Sequence, residues 1–152
     1  MKEIRVVVVR ERAMKSSAQS ITGPRDLCAI LKRRACALDR ENFWVVHLNV
    51  QNIPLSFETI SIGSVSSTLV HPRETFKSAI LLGASSIVCA HNHPSGNLEA
   101  SDEDIELTKR LVKVGDLVGI PVLDHVIITS QGTFTSLREK KPRLFTGRDY
   151  ND

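Results

Sequence analysis

The chain has 152 residues, of which 41% are hydrophobic and 24% are charged, and its formal net charge is +3. This length and balance suit one globular domain and leave little room for a second. The apolar runs are too short to cross a bilayer, and the N-terminus lacks a basic region followed by an apolar segment, so we expect a cytoplasmic protein without a membrane association. The basic residues fall in short, scattered groups, which argues against a dedicated nucleic-acid binder.

The N-terminal part of the chain predicts an arm followed by a helix. Residues 1–20 form the arm, with a β-branched strand candidate at 4–9 and a polar stretch after it. A helix over residues 24–38 follows, because proline suits the first helical turn and apolar residues recur at helical spacing. We assign residues 21–146 to the domain and 147–152 to a tail.

The middle of the chain predicts a hairpin, a second helix and a buried strand. Residues 43–49 and 55–62 are rich in β-branched and aromatic side chains, and the connection between them suggests a hairpin. A helix opens at His71-Pro72 and ends near Gly83. Residues 85–90 are almost continuously apolar, as is typical of a strand in the middle of a sheet.

The rest of the chain predicts a loop, a long helix and two strands. Residues 91–100 are rich in Pro, Gly, Asn and Ser, and Ser101 is a suitable N-cap for a helix that ends near Val118 and Gly119. Strands at 121–129 and 133–136 precede a charged tail. Because helices and strands alternate, the fold class is α/β or α+β with a mixed sheet flanked by helices.

Two histidines separated by one residue, His91 and His93, are the first candidate metal ligands. They follow directly on the strand at 85–90, so both imidazoles can be aimed at one point. Neutral imidazole is a common ligand of zinc. Asp104, separated from His93 by ten residues and placed in the first turn of the next helix, is the natural third ligand.

A simpler interpretation of the same residues is that the histidines belong to a surface loop and that the acidic residues before Ile105 stabilise the helix dipole. The joint occurrence of a strand, His-X-His-Pro, a loop, Ser101 and Asp104 favours the metal site. Ser101 can serve both as helix cap and as a functional residue.

These residues resemble a known family. The stretch from His91 to Asp104 is similar to the His-X-His-X10-Asp signature of the JAMM (MPN+/JAB) metalloproteases, and His-Asn-His-Pro-Ser-Gly-Asn resembles the bacterial RadC-type branch. Residues 43–49, 70–74 and 122–128 also resemble that branch, so the likeness covers residues 24–145. It implies a single MPN/JAB domain with a cytidine-deaminase-like fold, in the stand-alone form without a helix-hairpin-helix region.

The resemblance also implies a zinc ion held by His91, His93 and Asp104, with a water molecule as the fourth ligand. A glutamate upstream of the ligands would take the proton of that water, and Glu41 occupies the matching place. Glu58 and Glu74 remain alternatives, since sequence distance does not show which carboxylate approaches the metal. Ser101 would form a hydrogen bond with the tetrahedral intermediate or the water.

Four further residues are candidates for a role at or near the site. Cys89 is on the same strand face as His91, but a small buried side chain is the favoured interpretation. His125 could be a hydrogen-bonded partner of a ligand or a structural histidine. His47 and His71 are predicted to be structural. The three cysteines, Cys28, Cys36 and Cys89, lack metal-type spacing and are predicted to be reduced.

Three functions follow from these features. The first is a zinc hydrolase acting on peptide or isopeptide bonds. The second is a DNA-repair-associated accessory binding module, suggested only by analogy with RadC and the mild positive charge. The third is a domain with a purely structural zinc ion, against which the three-ligand shell and Glu41 argue. Zinc nucleoside deaminases are excluded, since the chain lacks their Pro-Cys-X-X-Cys pair.

Overall fold

The computed structural model describes residues 2, 3, 5, 19–63 and 70–146. The strand predicted at residues 4–9, apart from Arg5, and the tail at 147–152 lie outside these residues. Among the helices in the described ranges, none is long and apolar enough to cross a membrane.

The described chain alternates between helices and strands, as predicted. In chain order the elements are α1 (Pro24–Ala35), β1 (Asn42–Leu48), β2 (Pro54–Ile62), α2 (Pro72–Leu82), β3 (Ser86–His93), α3 (Asp102–Val118), β4 (Val122–Thr129), β5 (Phe134–Ser136), α4 (Leu137–Lys140) and a 3-10 turn (Pro142–Phe145).

The five strands form one mixed sheet in the order β2-β1-β3-β4-β5. β1 and β2 form the predicted hairpin, and β1 also pairs antiparallel with β3. β3 and β4 are parallel, and α3 connects them. A parallel pair needs such a crossover, because the chain must return to the starting edge of the sheet.

Helices cover both faces of the sheet, and each face has its own apolar core. Alternation along β1 directs Phe43 and Val45 towards α2 and α3, and Trp44 and Val46 towards α1. The strands in the middle of the sheet, β1 and β3, are buried along their whole length. The predicted α/β class with a mixed sheet is confirmed.

The ends of the helices follow local sequence signals. His71 caps α2, since its Nδ1 accepts a hydrogen bond from the main-chain N–H of Arg73 at 3.2 Å. Ser101 caps α3 and Gly119 ends it in a left-handed conformation, as predicted. α1 ends at Ala35, three residues earlier than predicted, because the chain tightens there into a turn in which Ala37 N donates to Arg34 O.

Two predictions about the C-terminal half are wrong. The strand predicted to end at residue 90 continues to His93, because its parallel ladder with β4 extends to the pair His93 and Thr129. Both histidines therefore lie on the strand and not in a loop after it. The charged segment after β5, for which the sequence predicted no element, begins with α4, and Ser136 caps it by accepting a hydrogen bond from Glu139 N.

Candidate metal centre

The three predicted ligands meet where β3 ends and α3 begins. His91 and His93 project from the same face of β3, since they are two residues apart on a strand. Asp104 is in the first turn of α3. Their exposed fractions are only 0%, 8% and 2% respectively, so three ionisable side chains are brought together almost out of contact with water.

The ligand atoms are close enough to share one ion. His91 Nε2 lies 2.9 Å from His93 Nε2 and 3.2 Å from Asp104 Oδ1. His93 Nε2 lies 3.6 Å from Asp104 Oδ2. Tetrahedral zinc with bonds near 2.0 Å separates its ligand atoms by about 3.3 Å, so these distances fit the ion.

The proton on His93 is placed by a main-chain carbonyl. His93 Nδ1 lies 2.7 Å from Asn97 O, and a carbonyl oxygen can only accept a hydrogen bond. Nδ1 is therefore the protonated nitrogen of the neutral ring. Its Nε2 presents a lone pair towards Asp104 and His91, as a metal ligand must.

A longer chain of hydrogen bonds places the proton on His91. The hydroxyl of Thr108 donates to Asp104 O at 2.6 Å, so it must accept from His125 Nδ1, also at 2.6 Å. The neutral His125 ring then accepts through Nε2, which lies 2.7 Å from His91 Nδ1. His91 consequently carries its proton on Nδ1 and presents the lone pair of Nε2.

Two nitrogen lone pairs and a carboxylate thus face one point inside the protein. Without a positive charge among them, these groups would repel one another, and burial would increase the cost. A divalent cation bound by all three would supply that charge. The donor set of two imidazoles and one carboxylate suits zinc.

Asp104 is held by the cap of its own helix. The main-chain N–H and the hydroxyl of Ser101 both donate to Asp104 Oδ2 at 2.8 Å, and Ser101 Oγ accepts from Asp104 N at 3.1 Å. Burial acts to raise the pKa of Asp104, but its interactions with the His91 and His93 rings and the hydrogen bonds from Ser101 lower it far below its usual range. The carboxyl group is therefore ionised.

The pKa values of the neighbouring histidines, His93 and His125, shift in opposite directions. When His93 is protonated it donates a hydrogen bond to Asp104, which raises the pKa of His93, and the charges of Asp104 and Glu41 add to this effect. Burial lowers the pKa of His125 well below its usual value. His125 is therefore a neutral hydrogen-bond partner of His91.

The three candidate glutamates occupy different places. Phe43 pairs with His91, and Glu41 lies two residues before Phe43, just outside β1, so the antiparallel register continued by two residues brings it level with His93. The charge of Glu58 acts instead on His47 and Lys77. Glu74 forms surface ion pairs with Arg73 at 3.4 Å and Lys77 at 2.6 Å. The geometry favours Glu41 as the carboxylate beside the ligands.

Apolar residues form the inner wall of the site. The Phe43 ring stacks on His91, with centroids 6.4 Å apart, and meets His125 edge-on at 5.4 Å. Cys89 belongs to the core beneath them, and burial raises the pKa of its thiol. The interpretation of Cys89 as a buried core residue is confirmed. All three cysteines have free thiols.

The remaining predicted histidines are away from the ligands. His71 caps α2, as described above. His47 is buried on β1, with its Nδ1 2.9 Å from Ser56 Oγ. Both are structural, as predicted.

Sequence reasoning missed three contributors to the site. Thr108 is four residues after Asp104 and hence on the same face of α3, a spacing that could have identified it. Asn97 contributes through its main-chain carbonyl, which leaves no residue-type signal. Asn92 lies between the two histidines, and its side chain bonds to the main chain of residues 40 and 42.

The protein is thus an α/β domain with a buried group of two histidines and one aspartate that can bind a metal ion. The sequence matches the RadC-like JAB domain family over residues 21–142, so the chain belongs to that family.

Similar proteins bear the name UPF0758 protein, which states no activity. The chain is 53% identical over 121 residues to a UPF0758 protein of Caldanaerobacter subterraneus subsp. tengcongensis, covering 80% of this chain and 52% of the relative. It is 48% identical over 131 residues to a UPF0758 protein of Moorella thermoacetica, covering 86% and 57%. The chain therefore spans about half the length of the curated relatives it matches.

Proposed function

We propose that this chain is a zinc-dependent hydrolase of the JAMM metalloprotease type, in which water attacks a peptide or isopeptide bond. The observation that carries the proposal is the convergence of the Nε2 atoms of His91 and His93 on buried Asp104, with both Nδ1 atoms already engaged. A peptide or protein in the cytoplasm is the expected substrate.

His91, His93 and Asp104 would hold the zinc ion, and three protein ligands leave a fourth position for water, as in catalytic sites. When bound, the ion would lower the pKa of that water towards neutrality and polarise the carbonyl of the scissile bond. The buried ligand cluster keeps bulk water from the inner side of the site, which strengthens its electrostatic interactions.

Glu41 is the proposed general base. Its position level with His93 supports this role, as does the effect of its charge on that ring. The carboxylate would take a proton from the attacking water as the new C–O bond forms. It would then deliver the proton to the amine nitrogen as the C–N bond breaks.

Ser101 is the proposed donor to the charge that develops on the carbonyl oxygen. Its hydroxyl proton is directed at Asp104 Oδ2, and its oxygen caps α3. Turning the hydroxyl to the substrate would therefore exchange one hydrogen bond for another. Its catalytic role remains a prediction.

The proposal is tested by metal analysis and by peptide cleavage with purified protein. Wild type should hold one zinc ion per chain and cleave members of a peptide library. His93→Ala should lose the metal, whereas His71→Ala, which removes a surface histidine, should keep it. Glu41→Gln should keep the metal and lose cleavage, while Glu58→Gln should retain both.

The contrary results are equally specific. A wild-type chain without stoichiometric metal would overturn the site. A chain that holds zinc but cleaves no peptide would favour the structural-zinc alternative. Retention on duplex DNA that falls with salt and survives in His93→Ala would favour the DNA-associated module.

A further inference from the structure

Asn92, the residue between the two histidine ligands, is fully buried. Alternation along β3 directs it to the opposite face of the sheet from His91 and His93, where the α1 layer packs. It therefore cannot share a metal ion with its neighbours, and its buried amide requires another explanation.

The Asn92 amide joins β3 to the segment before β1. Its Oδ1 accepts a hydrogen bond from Asn42 N at 2.7 Å, and its Nδ2 donates to Arg40 O at 2.9 Å. The two contacted residues are those on either side of Glu41. One side chain thus fixes the main chain both before and after the proposed base.

Glu41 is fixed at a third point by its own carbonyl, which accepts a hydrogen bond from Gly63 N at 2.8 Å. These hydrogen bonds hold the main chain from which its side chain starts. That start is two residues before Phe43, which pairs with His91 on the strand that bears both candidate ligands.

We propose that Asn92 is a positioning residue, whose amide holds the Glu41 carboxylate beside the ligands. The inference rests on the proposed function of Glu41 as proton acceptor. It explains why an amide occupies the position: one group must both accept from Asn42 and donate to Arg40, which neither a carboxylate nor an aliphatic side chain can do. Asn92 thereby couples the strand that bears the ligands to the residue that bears the base.

A purely structural role is the competing explanation, in which Asn92 only satisfies buried main-chain groups. The two explanations differ in what happens once Glu41 is neutral. If Asn92 acts through Glu41, its removal should have no further effect in a Glu41→Gln protein.

The test uses the full chain loaded with Co²⁺, whose visible spectrum reports ionisation of its coordinated water. The pH of this spectral transition is measured for wild type, Glu41→Gln, Asn92→Ala and the double variant. Asn42→Ala is the matched control, because it removes a buried amide that also donates to Arg40 O, at 2.8 Å, yet leaves both Asn92 contacts in place.

We expect one Co²⁺ per chain in every protein. Glu41→Gln should move the transition down by about one pH unit, because a nearby negative charge disfavours ionisation of the water. Asn92→Ala should shift it in the same direction, and the double variant should match Glu41→Gln alone. Asn42→Ala should remain at the wild-type value.

An unchanged transition in Asn92→Ala, or shifts that add in the double variant, would overturn the role of Asn92 and leave the proposed function standing. An unchanged transition in Glu41→Gln, or no stoichiometric Co²⁺ in wild type, would count against the proposed function and remove the role of Asn92 with it. Should Asn92→Ala not fold, Asn92→Ser is used in the same comparison, since its short hydroxyl cannot make both contacts.

Discussion

His91 Nδ1 lies 2.7 Å from His125 Nε2, although the two residues are 34 positions apart in the chain. The contact exists because β3 and β4 are parallel neighbours, with Cys89 opposite His125. His125 in turn donates to Thr108, whose hydroxyl donates to the main-chain carbonyl of Asp104. The Nδ1 proton of His91 is thus linked by hydrogen bonds to the main chain of Asp104. Hydrogen bonds of this kind orient ligands and raise their basicity.

Removal of the Thr108 hydroxyl should weaken zinc binding. In Thr108→Val, His125 loses the acceptor of its Nδ1 proton and can move that proton to Nε2. His91 would then have to carry its own proton on Nε2, the nitrogen that faces the metal. We expect zinc affinity, measured by competition with a chromophoric chelator, to fall about 10- to 100-fold.

The matched control is Thr108→Ser, which retains the hydroxyl and should bind zinc within a factor of about three of wild type. Equal affinities for the valine and serine variants would contradict the proton arrangement derived for His91.

Zinc binding should strengthen as the pH rises. The hydrogen bond to Asp104 raises the pKa of His93, so the metal-free protein holds this proton above the usual histidine pKa of about 6.5. Stability from protonated His93 is complete below that value and is lost as the pH rises through the raised pKa. Zinc replaces the proton, so its effect on stability should grow over the same range.

The measurement is the difference in melting temperature between zinc-loaded and metal-free protein at pH 6, 7 and 8. The difference should widen with pH, and calorimetry in buffers of different ionisation enthalpy should detect proton release on binding. A difference that stays constant across this range would contradict the coupling between His93 and Asp104.

Cys89 should behave as a core residue. Cys89→Ala should keep one zinc ion per chain and lower the free energy of unfolding by about 1 kcal/mol, since it removes a small buried side chain. In the native protein an alkylating reagent should modify exposed Cys36 and spare buried Cys89, whose thiol pKa is raised by burial. Loss of metal in Cys89→Ala would identify the thiol as a ligand instead.

Gly115 should be intolerant of a side chain. A Cβ atom there would lie 2.7 Å from Ile120 O and 3.3 Å from Phe76 Cζ, where α3 packs against α2 and β4 begins. Gly115→Ala should lower the free energy of unfolding by about 1–3 kcal/mol, measured by urea denaturation.

Gly23→Ala is the comparison for this substitution. Gly23 has extended backbone angles, and no atom lies within 4 Å of the added Cβ. A destabilisation as large as that of Gly115→Ala would show that close packing at α3 is not the cause.

The elements and the ligand triad could be predicted because their signals are local. Ser101 and Asp104 form the capping box that starts α3, and Asp104 is also the candidate ligand. His91 and His93 share one strand face at a spacing visible in the sequence. The Pro and Gly content after them predicted a loop, in which Gly96 adopts a φ of 82°.

What could not be predicted depends on pairing between distant strands. Extension of β3 to His93 requires the ladder with β4, because His-Asn-His alone has the composition of a loop. The acceptor for His91 is on β4 for the same reason. No local pattern in the sequence links Asn92 to residues 40 and 42. Only the register of β1 against β3 brings them together.

The three candidate ligands lie within fourteen consecutive residues, from the end of β3 to the first turn of α3. A peptide containing only this strand, loop and helix would possess every metal-binding atom. It would lack His125 of β4, Phe43 of β1 and Glu41, which directly precedes β1. The atoms that can hold an ion thus come from one short segment. The groups that determine the protonation of its side chains are brought to it by the assembled sheet.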